Sequence, residues 1–243
     1  MRQLTNLTAA LLDPLLSANP AGPRITYYDD STGERIELSS VTLANWAAKT
    51  ANLLRDELGV VPNSRVAVLL PAHWQTAAVL LGVWWAGAEV VPPDVASQGA
   101  DVALCTGDLL AEADDAVSGG EVAVLSLDPF GRAATDLPIG VTDYATSVRV
   151  HGDQFIPDRQ SGPALSGRSA GDVLAEARRS AQTQGLSAGD RVMSDAPWSS
   201  DRDIIDNLLA VFVVGASLVQ VSHPDPASLT RRRGSEKVTR DLR

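Results

Sequence analysis

Three histidines, one cysteine and a group of aspartates are the residues of this chain best suited to chemistry. His73, His151 and His223 are far apart in sequence, each in an expected loop or helix start, and none pairs visibly with a carboxylate and a nucleophile. Cys105 sits in the apolar run Val102–Thr106, which reads as a buried strand end and makes the thiol an inert core group. A single thiol closes no intrachain disulfide and supplies no zinc cage. The run Gly215-Ala216-Ser217-Leu218-Val219 lacks the second glycine of a nucleophile elbow, so Ser217 reads as the start of a buried strand. The sequence contains no G-x-G-x-x-G, no G-x-x-x-x-G-K-[ST] and no H-x-x-x-H. Asp195, Asp201, Asp203 and Asp206 surround Trp198. At a helix start Asp201 and Asp203 cap N–H groups and complement the dipole, with Trp198 covering the core. Their spacing fits no recognised hard-cation loop, and no metal or catalytic residue is expected.

The elements that must position these groups alternate between strand and helix. Two short β-rich runs, 25–28 and 35–38, flank the turn-forming cluster Asp29-Asp30-Ser31-Thr32-Gly33 and predict a hairpin. Leu43, Trp46, Ala47, Leu54 and Leu58 recur near helical spacing, with Ser40 placed to cap the start and Gly59 to end the helix in a left-handed turn. A strand over 65–70, a helix over 73–86 and a strand over 89–91 form a parallel crossover unit. Further strands are expected at 102–105 and 121–127, around a short helix near 109–116. Residues 151–171 read as a loop or linker, rich in proline, glycine and polar residues. After it come a helix over 173–184, a strand over 191–193, a helix over 203–214 and a strand over 216–221.

The two halves share their punctuation. Gly59 precedes Arg65 by six residues and Pro71 follows by six, and Gly185, Arg191 and Pro197 repeat those offsets. Each half continues with a tryptophan, Trp74 or Trp198, an apolar helix, and Gly87-Ala88 or Gly215-Ala216 opening a valine-rich strand. Duplication of one unit accounts for this match better than the punctuation common to any crossover. Two related lobes of parallel sheet place a crevice between them, where open α/β folds bind ligands. The expected organisation is therefore a first α/β lobe with its hairpin at 1–150, a linker at 151–171, a second α/β unit at 172–222, and a disordered basic tail at 223–243.

Composition narrows the function. The chain has 243 residues, 44% hydrophobic and 21% charged, a balance able to bury a core. Its net charge of −10 disfavours nucleic acid and anionic membranes, apart from the tail. The apolar runs 76–88 and 208–219 are too short for a membrane span, and the N-terminal apolar stretch, broken by Asp13 and Pro14, makes a poor signal peptide. A reducing cytoplasm is expected.

The residues also resemble a family. The run Arg65-Val66-Ala67-Val68-Leu69-Leu70-Pro71 and the segment Trp84 to Asp94 are similar to the N-terminal region of adenylate-forming (AMP-binding) enzymes, the superfamily of acyl-CoA synthetases, peptide-synthetase adenylation domains and luciferases. Of its motif L-K-A-G-x-x-x-V-P-x-D, Ala86, Gly87, Val91, Pro92 and Asp94 match, while Trp85 stands for the lysine. The resemblance covers roughly residues 20–221 and points to a short stand-alone protein of actinobacterial type; the chain has only two lysines, Lys49 and Lys237, among 20 basic residues. It implies an α/β fold of two similar lobes of mainly parallel sheet with crossover helices, like that family's N-terminal subdomains.

The family holds its triphosphate with a loop of the form T-S-G-T-T-G-x-P-K-G, whose small residues let backbone N–H groups approach the anion. The matching interval here, 151–166, reads HGDQFIPDRQSGPALS, with no Ser/Thr/Gly run and no lysine. Asp153 and Asp158 add negative charge there, leaving Arg159 and Arg168 as candidate phosphate ligands. The resemblance makes Trp198, Ser199 and Asp201 candidates for the wall of an acyl pocket. The chain stops before the family's acidic magnesium ligand, ribose-binding aspartate and catalytic lysine. The expected function is a non-catalytic module, a pseudoenzyme, that binds a small acyl or nucleotide ligand or regulates through it, without a cofactor. The alternatives are an acyl-CoA synthetase-like enzyme with a remodelled phosphate site, using ATP and magnesium, and a structural protein completed by a protein partner.

Overall fold

The computed structural model describes residues 6–158 and 162–242. Helix α1 (Leu7–Ala18) is capped by Asn6, whose side chain accepts from the Ala9 N–H, and buries Leu7, Leu11, Leu12 and Leu15. Asp13 and Pro14 fall on its exposed face, so the proline that interrupts the apolar run in sequence leaves the helix intact. The hairpin β1 (Pro23–Asp29) and β2 (Glu34–Ser39) follows, then α2 (Ser40–Asp56). Ser39, not Ser40, supplies the α2 cap, accepting from the Thr42 N–H. Next come β3 (Arg65–Leu69), α3 (Trp74–Trp85), β4 (Glu89–Val91) and a 3-10 turn, Pro93–Gln98. The middle of the chain supplies β5 (Val102–Thr106), α4 (Leu110–Val117), β6 (Glu121–Leu125), β7 (Thr142–Asp143) and α5 (Tyr144–Ser147).

After α6 (Ala170–Thr183) and β8 (Arg191–Ser194), three helical stretches run on without a break: α7 (Asp201–Ile204), a π-helical turn (Ile205–Leu209) and α8 (Ala210–Val213). The chain closes with β9 (Ser217–Ser222), α9 (Pro226–Ser235) and β10 (Arg240–Asp241).

Two five-stranded sheets result, in the orders β10-β8-β9-β1-β2 and β4-β3-β5-β6-β7, and every pairing is parallel except β1 with β2. Period-two alternation divides the second sheet. Val66, Val68, Val102 and Leu104 face a core shared with α1, α2, α3, α6 and the first sheet, while Ala67, Leu69, Ala103 and Cys105 face a smaller core under α4. The two crossover units expected from matched spacing are both present, β3–α3–β4 in one sheet and β8 to β9 in the other. Arg65 stands beside Glu89 in the first and Arg191 beside Ser217 in the second.

Three expected boundaries need correction. The hairpin does not belong to the lobe that follows it, because β1 pairs with β9 from Ile25↔Leu218 to Asp29↔Ser222. The tail is folded rather than disordered: Met193, Val219 and Val221 form an outer apolar face of the first sheet, and Leu229 and Val238 cover it. Charged residues of the tail pair with the rest of the fold: Arg232 with Asp30, and Glu236 with Arg35 at 2.9 Å and with Arg191. Finally, residues 162–168 of the expected loop are built into the structure. Leu165 is fully buried and bridges Val90 on the free edge of β4, and the Ala164 carbonyl accepts from the Val90 N–H at 3.0 Å and from Trp84 Nε1 at 2.7 Å.

Candidate functional site

An open crevice of about 650 Å3 lies between the two sheets. Its first wall comes from the starts of β3 and β4 and the turn after β4: Arg65, Glu89 and Asp94. The second is the helix start that follows β8, with Asp201 and Arg202, and Ser166 and Gly167 form its floor between them.

Local sequence explains each placement. Glu89 opens a strand otherwise made of valines and is buried, and Arg65, its register neighbour, lies 3.6 Å from its carboxylate. Pro92 and Pro93 end β4 and set Asp94 in the turn, where its N–H donates to the Ser199 carbonyl at 3.2 Å and ties the walls together. Ser200 and Asp203 form a reciprocal capping box, leaving the Asp201 side chain free to leave the helix. Ser166 and Gly167, at φ 44° and 77°, make a tight turn that closes with the Arg168 N–H donating to the Leu165 carbonyl at 3.0 Å.

The charges of the crevice are largely spent on one another. The Gly167 N–H donates to Glu89 Oε1. Asp201 accepts from Ser166 Oγ at 2.7 Å and from Arg168 Nη2 at 2.7 Å. The other arm of Arg168 meets Glu176 at 2.5 Å. Arg202 pairs with Asp206 at 3.2 Å. Desolvation, followed by the carboxylates of Asp201 and Asp203, raises the Asp94 pKa above its ordinary value.

The candidates read from sequence separate accordingly. Asp201 lines the crevice. Trp198 does not: it is 2% exposed and packs in the shared core, because the capping box behind it turns the chain and leaves the indole beneath the helix. Ser199 is spent on Asp203, its hydroxyl donating at 3.0 Å. Arg168 follows the lining residue Gly167, and both its arms are held by carboxylates, Glu176 and Asp201. Arg159 lies outside the described residues. Sequence reasoning missed Arg65 and Glu89. A lone acid in a buried valine strand was the available signal, since a buried charge requires a partner.

The donor set can be tested against the group that the resemblance implies. A triphosphate needs converging N–H groups and cations. In the described part of the matching interval and the turn that follows it, the Gly167 N–H is taken by a carboxylate and Arg168 is neutralised twice, so these residues do not fit ATP. Among the described residues no group of three or more His, Cys, Asp or Glu side chains is arranged to hold a metal ion. Elsewhere, Cys105 is fully buried, and burial pushes its pKa up to about 12. No helix among the described residues is long and apolar enough to cross a membrane.

Comparison with known proteins bears on the fold. A family model described as AMP-binding enzyme matches residues 17–113. The chain is 64% identical over 242 residues to a TIGR03089 family protein of Mycobacterium tuberculosis, covering 98% of each. Among solved structures it is similar to a Brucella canis acyl-CoA synthetase, with a TM-score of 0.79 at 19% identity over 98% of this chain and 47% of that one. It is also similar to a benzoate CoA ligase of Burkholderia xenovorans, with a TM-score of 0.71 at 18% identity over 98% of this chain and 50% of that one. Identities this low show the fold alone, and the chain spans about half the length of these structures.

Proposed function

The chain belongs to the TIGR03089 family, and from that footing we propose that it is a ligand-binding module on the AMP-binding-enzyme fold that does not form adenylates. The observation that carries this reading is the state of the turn at Ser166 and Gly167. Its N–H is occupied by Glu89 and its arginine is clasped by Asp201 and Glu176, while the crevice beside it stays open at about 650 Å3, within the size range of small-molecule sites. The module keeps a pocket and fills the anion subsite with its own side chains. With Glu89, Asp94 and Asp201 facing only Arg65 and Arg202 across the pocket, the crevice favours the uncharged part of an acyl or nucleoside ligand over a polyphosphate.

The test joins two measurements. Carboxylate-dependent exchange of pyrophosphate into ATP should be absent across a broad acid panel. In a thermal-shift screen, nucleosides or non-hydrolysable acyl-adenylate analogues should raise the melting temperature where ATP with magnesium does not. Exchange activity, or micromolar ATP binding, overturns the proposal.

A further inference from the structure

The first sheet ends on an open strand. Its order leaves β2 at one end, paired only with β1. The other sheet ends are short or covered: β10 and β7 have two residues each, and the free edge of β4 is closed by Leu165 and by the Ala164 carbonyl on the Val90 N–H. By contrast β2 has six residues, ERIELS, with neither the proline nor the lysine that commonly blunts an exposed edge.

The groups that this edge presents follow from alternation along β1. The Asp30 N–H donates to the Ser222 carbonyl of β9 at 3.1 Å. Backbone direction alternates along a strand, so Tyr28 and Thr26 also turn toward β9, and Asp29, Tyr27 and Ile25 turn toward β2. Their register partners there are Glu34, Ile36 and Leu38. The N–H and C=O groups of Arg35 and Glu37 therefore point away from β1, and among the described residues no backbone group of another element meets them. Both side chains stand on the outer face, 3.0 Å apart and 45% and 37% exposed. Ile36 lies on the opposite face, half-buried against the shared core.

An open edge accepts another strand, and the charges of β2 select which one. In an antiparallel pairing of β2 with its own copy, outward-pointing residues must face outward-pointing residues. Setting Arg35 opposite Arg35, or Glu37 opposite Glu37, places like charges face to face. The register between these, centred on Ile36, sets Arg35 opposite Glu37 on both sides of the axis. Opposite charges at facing positions stabilise a strand pair and like charges destabilise it.

We propose that the free edge of β2 is a homodimer surface, on which a second copy of this chain adds antiparallel about a two-fold axis at Ile36. The two copies of the first sheet become one continuous sheet. Arg35 and the partner's Glu37 exchange both backbone hydrogen bonds, Glu37 and the partner's Arg35 exchange the same two, and the isoleucines meet at the axis. Two short strands bury a small area, so association is weak and reversible.

Sedimentation equilibrium of the full chain should show a monomer–dimer equilibrium with a dissociation constant of about 1–100 μM. Glu37→Arg brings arginine opposite arginine twice and should raise that constant about ten-fold or more. Glu37→Pro removes an outward N–H without touching the ladder to β1, so it should abolish the dimer and leave the circular dichroism of the fold unchanged. Ile36→Cys should give a disulfide-linked dimer on mild oxidation, because facing residues that do not exchange hydrogen bonds sit about 4.5 Å apart at Cα. Glu37→Cys, whose two copies are offset along the strands, should not, and Cys105 is fully buried and takes no part. A chain that stays monomeric up to about 200 μM overturns the proposal. So does a dimer that Glu37→Arg and Glu37→Pro leave unchanged, or equal cross-linking at positions 36 and 37. If the two Glu37 variants fail to fold, the cysteine contrast decides alone.

Discussion

Arg168 Nη2 lies 2.7 Å from Asp201 Oδ2, joining two residues that the family resemblance assigns to different parts of a ligand. The pair is about 30% exposed on each side and contributes little stability, on the order of 1 kcal/mol or less. Its consequence is electrostatic: Asp201 cancels the cation nearest the turn. Asp201→Asn should therefore leave the melting temperature nearly unchanged and raise affinity for inorganic phosphate or AMP several-fold in a thermal-shift titration. Unchanged anion affinity would show that Glu176 alone is enough to neutralise the arginine.

The C-terminal segment gives the second expectation. Ending the chain at Thr230 removes Val238 and half of α9, weakening the cover over Met193, Val219 and Val221, and takes Arg232 from Asp30 and Glu236 from Arg35 and Arg191. Partly re-exposing three apolar side chains costs several kcal/mol, at about 1.5–3 kcal/mol each for full exposure. Denaturant melts of the shortened chain should show a clear loss of stability, and an unchanged midpoint would mean that α9 and β10 dock without consequence.

The elements most readable in sequence were those with internal periodicity and local punctuation. The valine and leucine pattern gave β3, α3 and β4, and the repeated glycine and proline offsets around Arg65 and Arg191 gave the second crossover. The tail was opaque because its partners are far away in sequence. The basic residue Arg232 looks solvated until Asp30, some 200 positions away, is brought beside it. The same holds for residues 162–165, whose hydrogen bonds go to Gly87, Val90 and Trp84 on another element. In the crevice, Asp201 was visible as an acid at a helix start, whereas the Glu89 contact with Gly167 depends on two chain segments meeting and has no local signature.

Acid should loosen the tail first. Burial alone would raise the Glu236 pKa, but hydrogen bonds from Tyr28, Arg191 and Arg35 outweigh it and hold the carboxyl at about 2, against an ordinary 4.5. A depressed carboxylate stabilises the fold above its unfolded pKa, and that contribution fades as the pH falls from about 4.5 toward about 2. The contribution is on the order of 2–3 kcal/mol. Glu236→Gln should flatten the decline of stability over this window, measured by urea melts at stepped pH; a slope equal to that of the parent chain would count against the cluster.

The last expectation concerns the segment that resembles, by position, a phosphate loop. An exposed loop would tolerate any flexible replacement, since its backbone would be solvated and its side chains would touch little. Leu165, however, is fully buried, and its neighbour Ala164 hydrogen-bonds both the β4 edge and the Trp84 indole, so the segment acts as an extra edge strand. Leu165→Ala should cost about 2–5 kcal/mol, as for other buried leucines. Ile156→Ala, nine residues earlier and 87% exposed, should lie within about 0.5 kcal/mol of the parent. The contrast within one segment separates a structural edge from a loop. It also bears on function, because a backbone committed to covering Val90 cannot at the same time move to wrap an incoming phosphate. Equal, small effects at both positions would return the segment to the role of a free loop and reopen it as a ligand-binding element.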